Sequence, residues 1–95
     1  MLTIDEVEEK LNNKKIKIFE VVFLKKDGTE RQMFFTINNE LIQELGIVYK
    51  ATKNRINNPE VVNVVELVKN GDEWQDAQYR SFRKDNVIKL EKAII

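Results

Sequence analysis

The chain has 95 residues, of which 42% are hydrophobic, with 16 basic and 16 acidic side chains and neither histidine nor cysteine. A chain of this length builds one core, so we predict a single domain over residues 1–95. Balanced charge gives no global attraction to nucleic acid or to an anionic membrane, and the lack of cysteine excludes disulfides and thiolate metal sites.

The first predicted element is a helix within residues 1–13. Thr3 followed by Glu6 forms a capping box, in which each side chain satisfies a backbone N–H of the other residue. One narrow apolar stripe recurs at helical spacing, formed by Ile4, Val7 and Leu11. The outer face is acidic and includes Glu9. We interpret the helix as closing one end of the domain, with docking to a basic partner surface as the alternative.

The second predicted element is a hairpin of residues 16–24 and 30–37. Asp27-Gly28 is a preferred centre of a two-residue type I′ turn, which sets a register with Glu20 opposite Phe35. Both faces of the hairpin are then mostly apolar. We therefore expect it to curl into a barrel whose second face is covered by the N-terminal helix or by another chain. Self-association is accordingly a property to test by light scattering.

Short strands and polar turns fill the rest of the chain. A short helical turn is expected within residues 36–46, capped by Asn38 or Asn39. Three strands follow, at residues 61–68, 77–83 and 87–91. No connection is long enough for a parallel βαβ unit. The pattern predicts a mainly β fold, a small five-stranded SH3/Sm-like barrel over residues 15–92, with an OB-like barrel as the nearest alternative.

The residue types that most catalytic sites need are missing. Without histidine and cysteine, the usual general base near neutral pH and the best nucleophile are both absent, and zinc lacks its preferred ligands. The glycines are isolated turn residues and form no phosphate-binding loop. We therefore predict no catalytic residues, no metal and no cofactor. No apolar run approaches the roughly 20 residues that span a bilayer, so we expect a soluble, cytoplasmic protein without a membrane partner.

Aromatic and basic side chains alternate along Tyr79-Arg80-Ser81-Phe82-Arg83. A strand of this kind can stack on bases and contact phosphates. Alternation places Arg80 and Phe82 on one face, which also allows Phe82 to fill the core and the arginines to form surface ion pairs. A polar loop supplies three more basic side chains, which either touch phosphates or are simply solvated: Lys50, Lys53 and Arg55.

Two further residues call for an explanation. Trp74 lies beside a turn between acidic residues, where it is either an exposed protein-contact residue or a cap on the barrel. Glu20 falls among apolar residues in the predicted register, where an unpaired carboxylate is costly. It either reaches water at a rim, pairs with Arg80, or orients a ligand.

Two segments resemble a known family. The motifs are Lys25-Lys26-Asp27-Gly28-Thr29 followed by Arg31 and Met33 in the hairpin, Thr36 and Asn38 after it, and Tyr79-Arg80-Ser81-Phe82-Arg83 followed by Asp85 and Val87 near the end. They are similar to the small WYL-related, Sm/SH3-like β-barrel proteins of tailed bacteriophages. The closing stretch also resembles the end of WYL domains, which are regulatory modules that sense ligands, including nucleic-acid-derived ones. The resemblance implies an accessory role in the host cytoplasm, with Arg80 and Arg83 as the residues that carry over.

Together these observations predict a non-enzymatic phage accessory module that engages and modulates a host or phage protein through its barrel faces and acidic helix. The expected contact residues are Trp74, Glu9 and Phe19. The alternative is binding of nucleic acid or a nucleotide-type ligand by the strand and the basic loop, through Tyr79, Arg80, Arg83, Lys50, Lys53 and Arg55. Balanced charge favours the first function, and the resemblance favours the second.

Overall fold

A computed structural model describes residues 1–44 and 58–94 as one antiparallel sheet with a short helix in front of it. The elements are helix α1 (Ile4–Leu11), strands β1 (Phe19–Leu24) and β2 (Glu30–Thr36), helix α2 (Asn39–Glu44), and strands β3 (Val61–Asn70), β4 (Glu73–Arg83) and β5 (Val87–Lys92). A 3₁₀ turn at Lys84–Asn86 joins β4 to β5. The predicted mainly β fold, with a leading helix and a short helix after the first hairpin, is confirmed.

The five described strands lie in the order β4-β3-β2-β1-β5, so β4 and β5 are at opposite edges of the sheet. Only the three residues of the 3₁₀ turn connect these two edges, and the sheet has to curl strongly to bring them together. The curl is visible in the core, where the ring of Phe23 on β1 stacks on that of Phe82 on β4 with 5.6 Å between centroids. No pairing of β4 with β5 closes the sheet in the described part of the chain. The predicted closed barrel is therefore not confirmed.

The first hairpin forms, but with a register one residue away from the predicted one. Glu20 lies opposite Phe34, and Phe35 lies opposite Phe19. Three residues instead of two form the loop, because the Lys25 N–H donates to the Thr29 carbonyl at 2.8 Å and Gly28 adopts φ 85°, as in a hairpin with a glycine bulge. Since successive side chains alternate between faces, this one-residue shift moves Phe35 onto the same face as Phe19.

The observed register places Phe19, Val21, Phe23, Met33 and Phe35 on one face, the inner face of the curl, and Phe34 on the outer face. The buried residues of this core are Val7, Phe19, Val21, Phe23, Met33, Phe35, Val62, Val64, Phe82, Val87 and Leu90. Helix α1 contributes Val7, which is fully buried. The predicted capping box holds the start of α1, because the Glu6 N–H donates to Thr3 Oγ1 and the Thr3 N–H donates to Glu6 Oε1, both at 3.1 Å.

The outer face of the sheet carries a second, smaller apolar cluster around Ile42, Val65 and Leu67. Helix α2 supplies Ile42, and α2 is capped by Asn38, whose Oδ1 accepts from the Leu41 N–H at 2.9 Å. Of the two predicted covers for the second face of the hairpin, the N-terminal helix was wrong, because α1 packs into the inner core and α2 lies on the outer face instead. Cover by another chain stays a prediction.

Candidate functional site

Strand β4 uses both aromatic residues of the predicted Tyr79–Arg83 segment for packing. Phe82 is only 4% exposed and lies in the inner core, as one of the two interpretations predicted. Tyr79 is half-buried on the other face, where it packs against the second apolar cluster. The two rings therefore do not share a face on which bases could stack.

Arg83 lies on the outer face of β4 and is held by two carboxylates. Its guanidinium donates to Glu60 at 2.9 Å and to Asp85 at 3.0 Å. These hydrogen bonds, that with Asp85 first, raise the pKa of Arg83, and the guanidinium in turn lowers the pKa of Asp85 below its ordinary value. The positive charge of Arg83 is thus compensated locally, as the ion-pair interpretation predicted.

The Arg83–Asp85 pair predicts a measurable titration shift. Replacing Arg83 with glutamine is expected to raise the pKa of Asp85 toward its ordinary value, because the hydrogen bond that favours the ionised carboxylate is lost. A lowered pKa stabilises the folded state above the unfolded pKa, and that contribution disappears as pH falls through the folded value. NMR titration of carboxyl carbons from about pH 2 to 6 measures the shift.

Asp27 is the internal control for this titration. Its pKa is lowered by hydrogen bonds from the Thr29 side chain and backbone, with no part played by Arg83. The Asp27 value is therefore expected to stay the same in the variant. An Asp85 pKa that does not move when Arg83 is replaced would contradict this account of the corner.

The basic loop of the predicted nucleic-acid site falls outside the described residues. Lys50, Lys53 and Arg55 all belong to residues 45–57. Their part in a site remains a prediction from the sequence.

The structure brings together a charged cluster on the inner face that the sequence analysis did not predict. We call Arg31, Glu66 and Arg80 the arginine–glutamate cluster. Arg31 Nη2 donates to both carboxylate oxygens of Glu66, at 3.0 and 2.9 Å, and Arg80 Nε donates to one of them at 3.1 Å. The Glu66 side chain is 13% exposed, against 29% for Arg31 and 40% for Arg80. One nearly buried carboxylate therefore holds two partly exposed guanidiniums.

The sequence of β3 contains a feature from which this cluster could have been predicted. Alternation places Glu66 on the same face as Val62 and Val64, and an acid in that series needs a partner. Arg80 was predicted as one possible partner of Glu20 instead, and that pairing was wrong because Arg80 is paired with Glu66. Glu20 lies on the outer face, where it accepts from the Gln32 amide and lies 3.7 Å from Lys89.

A groove of about 410 Å³ runs between α1 and the neighbouring strands β1 and β5. Its lining includes an apolar set, Ile16, Phe19 and Leu90, and a charged set, Glu6, Glu9, Lys10, Glu91 and Lys92. Phe19 is 1% exposed, so it belongs to the floor. Of the predicted protein-contact residues, Glu9 is exposed beside this groove. Phe19 does not present the exposed surface that was predicted, because its ring is buried in the inner core against Phe35.

The third predicted contact residue, Trp74, lies apart from the groove on the outer face. Its ring meets that of Phe34 edge-on, with 5.3 Å between centroids, and Lys69 Nζ lies 5.8 Å from the ring. The side chain is half-buried. Trp74 therefore contributes to the second apolar cluster, and any contact that it makes with a partner involves a different surface.

Neither a metal site nor a membrane-spanning helix is found in the described ranges. No group of three or more acidic side chains there is arranged to hold a metal ion. None of the helices in those ranges has the length and apolar character needed to cross a membrane.

Comparisons of the chain with protein-family models, with curated proteins and with solved structures gave no match. The resemblance to WYL-related phage proteins consequently remains a prediction from the sequence.

Proposed function

We propose that this chain is a non-enzymatic binding module that engages and modulates a protein partner through the groove beside α1. The observation that carries the proposal is the composition of the groove, an apolar floor bordered by carboxylates. We further propose that the domain is a small barrel of SH3/Sm-like type. The strand order and the short 3₁₀ connection between the two edge strands support that assignment.

The lining of the groove indicates the chemistry of its occupant. The lining residues include three acidic ones, Glu6, Glu9 and Glu91, and two basic ones, Lys10 and Lys92. The Glu91 carboxylate is paired with Lys89 at 3.0 Å, so the acidic groups on the α1 side of the groove are those of Glu6 and Glu9. A volume of about 410 Å³ holds a few side chains. The fitting partner is an amphipathic protein segment that inserts apolar side chains and places basic ones near the rim. In line with the family resemblance, we propose a host or phage protein in the host cytoplasm.

The alternative, nucleic-acid or nucleotide binding by the Tyr79–Arg83 strand, has less support. Arg80 and Arg83 lie on opposite faces of β4, and each is already engaged by a carboxylate. A flat platform that uses both arginines together is therefore not formed by the described residues. The alternative remains one outcome of the experiment that follows.

A pull-down from nuclease-treated host lysate tests the proposal. The wild-type chain is expected to retain a protein partner after nuclease treatment, because the contact is made to protein. Glu9→Lys reverses one exposed charge at the rim and is expected to reduce the captured amount about ten-fold. Glu44→Lys makes the same change on α2, away from the groove, and is expected to capture as much as wild type.

Two results would contradict the proposal. Equal capture by wild type and Glu9→Lys would remove the groove from the interaction. Loss of capture on nuclease treatment would favour the nucleic-acid alternative instead.

A further inference from the structure

The arginine–glutamate cluster lies where the inner core of the sheet gives way to solvent. Core residues fill the inner face of β3 up to Val64, and Glu66 follows on the same face. Val68 comes next on that face and is 45% exposed. The cluster therefore borders an open end of the curled sheet that a small solute can reach.

The cluster carries an excess of positive charge. It contains two guanidiniums and one carboxylate, so it has one net positive charge. Arg31 contacts Glu66 through Nη2 alone, which leaves its Nε and Nη1 without a hydrogen-bond partner among the residues that the structure describes. Arginine offers five N–H donors in a planar fork, so most of the donors of Arg31 are not used by the described residues.

Arg80 makes more hydrogen bonds than Arg31, but one of its terminal nitrogens is not used by the described residues. Its Nε donates to Glu66. The side-chain amide of Gln78 lies beside the guanidinium and accepts from Nε and Nη2 when its oxygen is assigned to the position facing Arg80, the assignment that satisfies both groups. Nη1 has no partner within the described ranges. Glu66 and Gln78 thus orient Arg80, and neither of them occupies its Nη1.

The partial burial and the restraint of Arg31 and Arg80 favour the binding of an anion, in place of water, beside the two guanidiniums. Both arginines are partly shielded from solvent, at 29% and 40% exposure, so an attraction between charges is screened less than on a fully exposed surface. Glu66 already restrains both side chains, which lowers the entropy lost when a ligand is bound. Guanidinium forks match the oxygen spacing of carboxylate and phosphate groups.

We propose that Arg31 and Arg80 form a binding site for a small oxyanion, a phosphate or carboxylate group, at the open end of the inner face. The site is separate from the groove beside α1, and it does not depend on the proposed protein contact. It also differs from the site predicted from the sequence, which combined Arg80 with Arg83. Arg83 lies on the other face of β4, and Arg31 is the second arginine of the proposed site.

Titration of the ¹⁵N-labelled chain with inorganic phosphate, and separately with acetate at matched ionic strength, tests the site. The Nε–Hε signals of Arg31 and Arg80 are expected to shift together and saturate, with a Kd on the order of 1 mM for the preferred anion. The anion with the lower Kd identifies the natural ligand group as a phosphate or as a carboxylate. Arg31→Gln and Arg80→Gln are each expected to weaken binding about ten-fold, since each removes a charged fork.

Two matched variants separate this site from general charge effects. Arg83→Gln removes the same charge from the other face of β4 and is expected to leave the Kd unchanged. Glu66→Gln removes the carboxylate that competes for the same donors, and it is expected to tighten anion binding several-fold. An absence of saturable shifts with both anions up to about 50 mM would overturn the proposal. Equal weakening by Arg83→Gln and Arg80→Gln would also overturn it.

Discussion

Replacing Phe35 with alanine is expected to lower the free energy of unfolding by about 3–5 kcal/mol. Phe35 is fully buried at the centre of the inner core. Its ring stacks on Phe19 with 5.3 Å between centroids and meets the edge of Phe82 at 5.4 Å. The substitution removes both contacts and leaves a cavity that the strands on either side cannot fill. A domain of this size has only about 5–14 kcal/mol of stability, so urea unfolding should show a large fall in the midpoint.

The neighbouring Phe34 is a matched control for this prediction. It has the same side chain one position earlier, but it is half-buried on the outer face against Trp74. Phe34→Ala is expected to cost about 1–2 kcal/mol, because less apolar area leaves water on folding at that position. The type I′ register would place Phe34 with Phe19 and reverse the order of the two effects. A larger loss for Phe34→Ala than for Phe35→Ala would contradict the observed register.

The second large effect is expected at Glu66. Glu66→Gln keeps the shape of the side chain but leaves two guanidiniums on the inner face without their counter-charge. We expect the free energy of unfolding to fall by about 2 kcal/mol, because hydrogen bonds to a charged group are lost and the two arginines then repel each other. Urea unfolding at neutral pH and low salt measures the change.

Glu60→Gln provides the control for Glu66. Glu60 also pairs with an arginine, Arg83, but both side chains are exposed, at 55% and 44%. Exposed pairs contribute at most about 1 kcal/mol, so Glu60→Gln is expected to change stability little. A double-mutant cycle of Glu66→Gln with Arg80→Met then isolates the coupling between these two residues. Equal, small effects of Glu66→Gln and Glu60→Gln would show that the cluster does not stabilise the fold.

Local signals in the sequence predicted most of the local structure. The Thr3–Glu6 capping box is present because its two hydrogen bonds involve residues only three apart. Asn38 caps α2 for the same reason. Alternation along β4 correctly placed Phe82 in the core. Each of these features depends on neighbours in sequence alone.

The sequence did not decide between two possible loops of the hairpin, and the register depends on which loop forms. Asp27-Gly28 suits a two-residue turn, but the same glycine also suits a three-residue loop with a bulge. The Asp27 carboxylate favours the longer loop by accepting from the Thr29 N–H at 3.0 Å and from the Thr29 hydroxyl at 2.6 Å. One extra residue in the loop shifts the pairing by one position. Each side chain of β2 then lies, relative to β1, on the face opposite to the predicted one.

The arginine–glutamate cluster was not predicted because its members come from three different strands. Arg31, Glu66 and Arg80 meet only when β2, β3 and β4 pair in the observed register. The predicted register instead placed Glu20 on the same face as Phe35, where Arg80 was one of its possible partners. The groove was not predicted for the same reason, since it forms only when α1 packs against β1 and β5, which pair with each other although they are far apart in the sequence.

Site-specific photo-crosslinking tests the proposed protein contact most directly. A photoreactive amino acid replaces Lys10, an exposed residue on the lining of the groove, and in a second sample replaces Lys69, an exposed residue beside Trp74. The account predicts a crosslinked protein partner from position 10 and none from position 69. Crosslinks from position 69 alone, or from neither position, would contradict it.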